Sequence, residues 1–268
     1  MSSLFSFFSR FSHFFSIFLF FSCLFLSEIV QNTMKIIVRS CGERTTNKCV
    51  ELAQKQGEVK VITARPFGKS LKQTYEEALT YNEKWVCVID ADVLLYDGVL
   101  QKAIDDLESI PNKNIFCLDG ITKDKVFRKN RRAGIHIYQI KMLKEALRHI
   151  QNDKIKPESH VRKTMASFHG LKTYAKCPII FGDHDYEQYY CDLWRKAVCQ
   201  TRKLPRKAAK MKSRWADLKK TDLDYLVIHE AHIWAIKNEP KIIIDADRDY
   251  NAVENIKKLG IEEKQPLQ

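Results

Sequence analysis

Two acidic strings carry the side chains best suited to chemistry. In the first, Trp85-Val-Cys-Val-Ile-Asp90-Ala-Asp92-Val-Leu-Leu, two carboxylates stand one residue apart where an apolar run ends. Paired oxygen ligands of this kind suit Mg2+ or Mn2+, which bind through one or two carboxylates and complete their shell with substrate phosphates. The bland alternative is that one aspartate caps the next segment while the other is a solvated turn residue. Position favours the ligand reading, because the apolar run is the third strand of an alternating pattern. The carboxyl ends of strands in open α/β sheets are where ligands bind. The second string, Phe181-Gly-Asp183-His-Asp185-Tyr-Glu187, packs four titratable groups into five residues between a strand and a helix start. Its aspartates are candidates for a general base and His184 for a metal ligand or a substrate contact. Helix capping by Asp183 or Asp185 is the competing account, and the two roles are compatible.

The elements that must position these groups alternate between short apolar runs and longer helical stretches, the pattern of an α/β protein with a mainly parallel sheet. Strands are expected at Ile36–Arg39, Val59–Thr63, Trp85–Ile89, Ile115–Leu118, Ile135–Ile140 and 172–181, with a last one at Ile242–Ile244. Helices are expected at Thr45–Gln56, Lys69–Tyr81, Asp97–Ile110 and Lys141–Ile150. From 185 to 239 the chain reads as a helical C-terminal region. In Lys69–Tyr81 the residues Leu71, Tyr75, Ala78 and Leu79 recur on one face, the spacing of an amphipathic helix. Trp85–Ile89 is apolar on both faces, as a buried central strand requires.

The stretch Lys35 to about Asp97 resembles the GT-A type glycosyltransferases, in particular the family-2-like group. The resemblance rests on strand one, the helix Lys69-Ser-Leu-Lys-Gln-Thr-Tyr-Glu-Glu-Ala-Leu79 and the strand ending Val88-Ile-Asp90-Ala-Asp92. It implies a GT-A-like, Rossmann-type sheet and a metal-dependent transfer of a sugar from a nucleotide-diphosphate donor to a carbohydrate or lipid-linked acceptor. Asp92 would then ligate the Mn2+ or Mg2+, with Asp90 touching metal or donor. The donor pocket would draw on Arg39, Ser40, Glu43 and Arg65. Asp185 or Asp183 would be the base, and His136 and His184 would meet the acceptor. Ser40-Cys-Gly-Glu43 replaces the Pro/Asn-rich loop usual in that family.

Composition limits the other options. The chain carries 45 Lys and Arg against 33 Asp and Glu, a net charge of +12, which calls for an anionic partner. Basic runs lie at Lys123–Arg132 and Arg202–Arg214. They suit a solvated face, an anionic membrane surface or a phosphate-rich acceptor better than nucleic acid, which wants interleaved aromatics for stacking. The eight cysteines form no CxxC pair, so reduced, buried thiols in the cytoplasm are expected rather than a zinc ribbon or disulfide framework. Neither GxGxxG nor GxxxxGK[ST] occurs. His229-Glu-Ala-His232 is one residue short of the zinc-protease spacing, and Asp245-Ala-Asp247 falls too late for a donor site.

Ten of the fifteen phenylalanines fall before Ser27. Residues 1–33 are therefore set apart from a transferase domain at 34–268, either as a short membrane anchor through residues 11–27 or as upstream sequence read from an early start codon. Two rivals to the transferase are a haloacid-dehalogenase-type phosphohydrolase and a basic RNA- or membrane-associated binding protein on a transferase-like scaffold. The first would carry its Asp-x-Asp on strand one, and here the string is on strand three. The second would tolerate loss of Asp90 and Asp92.

Overall fold

The computed structural model describes residues 34–111, 114–151, 156–174, 176–238 and 249–267. The first β-strand, β1 (Met34–Arg39), is followed by helix α1 (Thr46–Gln54), β2 (Gly57–Ile62), α2 (Phe67–Ala78), β3 (Trp85–Asp90), a short β4 (Val93–Leu95) and α3 (Val99–Ser109). The chain continues through β5 (Ile115–Asp124), β6 (Lys129–Gln139), α4 (Leu143–Leu147), α5 (Pro157–His169), β7 (Lys172–Tyr174) and β8 (Ile180–His184). Four helices close it: α6 (Tyr190–Lys203), α7 (Pro205–Leu218), α8 (Leu223–Asn238) and α9 (Ala252–Lys258).

The strands form one sheet in the order β2-β1-β3-β6-β5-β8-β4, with β7 paired to β5. Pairings β1–β2, β1–β3, β5–β7 and β5–β8 are parallel; β3–β6, β5–β6 and β4–β8 are antiparallel. The mainly parallel α/β architecture expected from the alternating pattern is therefore present, with an antiparallel β6 inserted at its centre.

Period-two alternation sorts each strand between two cores. Ile36 and Val38 of β1 and Cys87 and Ile89 of β3 pack with Cys49 and Ala53 of α1 and Leu100, Ala103 and Leu107 of α3. Ile37, Val86 and Val88 face the other way, onto Leu71 and Tyr75 of α2 and Val161 and Met165 of α5. A third cluster, around Trp194, Trp215 and Tyr225, joins α6–α9 to Val126 and Phe127 at the β5–β6 turn. Burying Trp215 in full, with its Nε1 donating to the Val126 carbonyl at 2.8 Å, ties this helical layer to the sheet.

Several expected elements take a different form. The helix expected over Lys141–Ile150 is a 3-10 turn at Ile140–Met142 and the five-residue α4. The single strand expected over 172–181 divides into β7 and β8. Strand β5 runs on to Asp124, because Lys123 and Asp124 pair with Asn130 and Lys129 in a hairpin; the basic run at Lys123–Arg132 is that hairpin's end. Helix α5 was not anticipated. The run Arg202–Arg214 falls at the end of α6 and on α7, where Arg206, Lys207, Lys210, Lys212 and Arg214 are exposed and Ala208 and Trp215 face inward. Residues 1–33, the strand expected at Ile242–Ile244 and the Asp245-Ala-Asp247 string lie outside the described residues. No helix among the described residues is long and apolar enough to cross a membrane.

Candidate active site

The two acidic strings meet. β4 and β8 run antiparallel with Val93 opposite His184, so one step further along the ladder brings Asp92 opposite Asp185. The Asp185 N–H donates to the Asp92 carbonyl at 3.1 Å. Asp185 has φ +68°, a left-handed conformation that aspartate tolerates better than most residues. Gly134 on β6, at φ +69°, makes room: a Cβ there would stand 2.5 Å from Val93 Cγ2 and 2.9 Å from His184 Cδ2.

His184 is the hub. Its Nδ1 lies 3.0 Å from Asp124 Oδ2 and 3.0 Å from Asp185 Oδ2, and its Nε2 is 3.5 Å from Asp92 Oδ1. Lys196 of α6 places its Nζ against both Asp92 Oδ2 and Asp185 Oδ1, and Arg131 pairs with Asp124. Burial alone would lower the His184 pKa, but the Asp185 and Asp92 carboxylates outweigh it and push it up to about 10. Burial works against ionised Asp92, yet Lys196 and His184 bring its pKa down to about 2. The cluster is a set of opposed charges held dry, each dependent on the others.

Asp92 Oδ1 and Asp185 Oδ2 are buried and accept no hydrogen bond from any described residue. One ligand atom each from Asp92, His184 and Asp185 lies within 4.8 Å of the others. Two carboxylates and an imidazole fit a divalent cation, and the nitrogen donor suits Mn2+ better than Mg2+. The Lys196 ammonium occupies the position of a positive charge among these oxygens.

Asp90, the other half of the first string, turns to a second buried network. Arg39 at the end of β1 reaches Asp90 Oδ1 through Nε at 2.9 Å and through Nη2 at 2.7 Å. Arg39 Nη1 also donates to Glu158 Oε1 at 3.2 Å. Glu158, in the first turn of α5, accepts from the Tyr138 hydroxyl at 2.6 Å and lies 3.1 Å from His136 Nε2. His136 Nδ1 is in turn 3.2 Å from Asp119 and 2.8 Å from the Arg162 guanidinium. Burial opposes charge on Glu158, but Arg39 and His136 hold its carboxyl well below the usual range. Burial raises the Asp90 carboxyl against the pull of Arg39, and Asp92 adds to the rise.

Both networks line one cleft of about 460 Å³. Arg39, Glu43, Asp90, Asp92, His136 and His184 are on its wall; Ser40, Arg65, Asp183 and Asp185 are not. Ser40 instead organises the turn, its hydroxyl donating to Glu43 Oε2 at 2.8 Å, and Arg65 reaches the Cys41 carbonyl. Asp183 points to the opposite side of β8 from His184, accepting from the Tyr96 hydroxyl at 3.0 Å with Lys123 at 3.8 Å. Asp185 is buried behind the wall, against Lys196 and His184. Of the cleft's other charged residues, Asp119, Lys156, Glu158, Arg162, Asp192, Arg195 and Lys196 were not read from sequence, whereas Arg131, Arg132 and Lys203 fall in the two basic runs. Three carried a local signal: Glu158 follows Pro157 in a helix-start pattern, and Asp192 and Lys196 stand four apart on one helix face. The near-match His229-Glu-Ala-His232 is structural, with His232 buried against the Thr201 hydroxyl at 3.0 Å.

No family model and no curated protein sequence matches the chain. Among solved structures it is similar to a mannosyltransferase of Pyrobaculum calidifontis in complex with GDP-mannose and Mn2+, at 11% identity and a TM-score of 0.45, over 86% of this chain and 76% of that one. A glycosyltransferase involved in glycosylation of the major capsid of PBCV-1 matches at 10% identity and a TM-score of 0.36, over 53% of this chain and 79% of that one. A cytidylyltransferase of Leptospira borgpetersenii matches at 17% identity and a TM-score of 0.36, over 77% of this chain and 80% of that one. With every TM-score here below 0.5, the chemistry of the cleft stands on its own residues.

Proposed function

We propose that this chain is a metal-dependent glycosyltransferase that moves a sugar from a nucleotide-diphosphate donor to a hydroxyl of a carbohydrate or lipid-linked acceptor. The observation that carries the reading is the convergence of Asp92, His184 and Asp185 from two distant segments into one buried set, at the wall of a cleft that also carries a basic group. There Lys156 and Lys203 crowd with Arg131. Burial and then neighbouring like charges lower both lysines, Lys203 to about 8. A bound diphosphate would relieve that repulsion, so this basic group suits an anionic ligand.

Asp92, His184 and Asp185 would hold the cation, Mn2+ by preference, and Asp90 would face the donor from its pairing with Arg39. When bound, the cation supplies Lewis-acid stabilisation of charge on the diphosphate leaving group. The basic residues Arg131, Lys156 and Lys203 orient the diphosphate. The bond from the anomeric carbon to the diphosphate oxygen breaks with its electron pair going to that oxygen, and the acceptor oxygen forms the new bond. The acceptor proton needs a carboxylate. Asp183 faces away from the cleft and Asp185 is committed to Lys196 and His184. Glu43, on the cleft wall with a pKa raised by burial and by Asp92, has the proton affinity for the task.

Calorimetric titration of UDP and of GDP, with Mn2+ and with EDTA, tests the reading beside Asp92→Ala. Metal-dependent binding of one nucleotide, lost in the variant, is expected, together with transfer of label from the corresponding nucleotide sugar. No binding of either nucleotide in any condition would leave the basic scaffold protein as the better account.

A further inference from the structure

A second cluster of metal-binding side chains lies outside the cleft and owes nothing to the transferase reading. Glu145 on α4, His149 just beyond that helix and His169 at the last position of α5 bring one atom each to a common point. His149 Nε2 is 3.3 Å from His169 Nε2 and 3.3 Å from Glu145 Oε1, and His169 Nε2 is 3.5 Å from the same Glu145 oxygen. These are nearly equal sides of a triangle. With metal–ligand bonds of about 2.0–2.1 Å, the ligands of a tetrahedral zinc stand about 3.3–3.4 Å apart. Hydrogen bonding satisfies such a triangle poorly. A neutral imidazole has one N–H, and an Nε2–H on one ring can point at the other ring or at Glu145 but not fully at both. A cation at the centre of the three lone pairs satisfies all of them together.

The chemistry of the set is specific as well. Two imidazoles and one carboxylate with a vacant fourth position form the three-ligand pattern of open zinc sites. Imidazole selects Zn2+ over the hard cations Mg2+ and Ca2+. The scaffold beneath is packed into the core. Ala146, three residues before His149, and Met165, four residues before His169, are fully buried in one hydrophobic cluster. Gly170 follows His169 in the left-handed conformation, at φ +62°, and ends α5 there. All three side chains are about a quarter to a third exposed, at 32%, 26% and 33% for Glu145, His149 and His169, so an ion reaches them from solvent.

We propose that Glu145, His149 and His169 form a zinc-binding site with an open fourth position that staples the end of α4 to the end of α5. The staple acts on the helix that delivers Glu158 and Arg162 to the cleft wall, so zinc braces that helix without touching the cleft.

The test uses the full chain, stripped with chelator and titrated with Co2+ as a spectroscopic stand-in for Zn2+. Tetrahedral Co2+ absorbs strongly in the visible, whereas an octahedral, oxygen-rich site absorbs weakly. The expected result is a strong visible band that Zn2+ abolishes, retained in Asp92→Ala and lost in His149→Gln and in His169→Gln. Elemental analysis after dialysis against Zn2+ should show one fewer bound ion in each of those two variants. The Zn2+-induced rise in melting temperature should disappear with it. Circular dichroism checks that the variants fold, and Glu145→Gln provides a third reading if one does not. A wild-type chain without the band, or a band and zinc content unchanged in both histidine variants, would overturn the proposal.

Discussion

Replacing Glu158 by Gln is the most informative single perturbation of the cleft. The carboxylate is buried and serves three partners: Arg39 at 3.2 Å, Tyr138 at 2.6 Å and His136 at 3.1 Å. A glutamine keeps the shape and one acceptor for Tyr138 but withdraws a buried negative charge, leaving Arg39 to Asp90 alone and His136 to Asp119 alone. Removing one member of a buried ion pair costs about 3–5 kcal/mol. For a domain of this size that is about 6–20 °C in melting temperature. The pH dependence makes the test sharper. Glu158 has a depressed pKa in the folded chain, so its contribution is full above the unfolded value of about 4.3. It is lost as pH falls through the depressed value. His136 has a raised pKa, in which Glu158 is the leading electrostatic cause against the penalty of burial. Its contribution is full below about 6.5 and is lost as pH rises through the raised value. The deficit of E158Q should therefore be widest between about pH 4.3 and 6.5 and narrow on both sides. The assay is thermal unfolding of both chains from pH 3 to about 9, within the range where both groups titrate. A deficit that is flat across that range, or absent at pH 6, would refute the electrostatic account of the network.

Two further perturbations address other parts of the molecule. Lys196 already supplies a positive charge to Asp92 and Asp185, so loading a divalent cation is an exchange. K196M should bind Mn2+ about tenfold more tightly or better, a change of about 1.4 kcal/mol, while the metal-free chain loses stability; unchanged or weaker binding by calorimetry would count against the exchange. Trp215, fully buried and bonded to the Val126 carbonyl, should cost about 3–5 kcal/mol on truncation to Ala. In a urea titration the midpoint should fall with the slope unchanged, and an unaltered midpoint would mean that α7 is not anchored through this ring.

What could be read from the sequence was local. β1, β2 and β3 declared themselves through apolar runs, and Asp90 and Asp92 through their position at the end of one. Nothing local says that Val93 pairs with His184, although that register brings the two acidic strings together. Asp183 and Asp185 looked equivalent on paper; period-two alternation and the left-handed turn at Asp185 place one on Tyr96 and the other on Lys196. Glu158 was hidden for a different reason. Its helix carries few apolar residues, of which Val161 and Met165 are buried, too sparse a stripe to stand out. Arg39 was expected to face a donor pocket and does line the cleft, but its pairing with Glu158 depends on a contact 119 residues away.

The left-handed backbone at Asp185 has a consequence for how the chain can vary. Two separate demands fall on one position: a backbone that favours Gly, Asn or Asp, and an anionic oxygen facing His184 and Lys196. Asn meets the first and fails the second; Glu meets the second and fails the first; Gly relaxes the turn and removes the charge. Among the twenty side chains aspartate alone meets both. A saturation library at 185 sorted once for folding and once for transfer would then return two different sets of survivors, overlapping at a single letter.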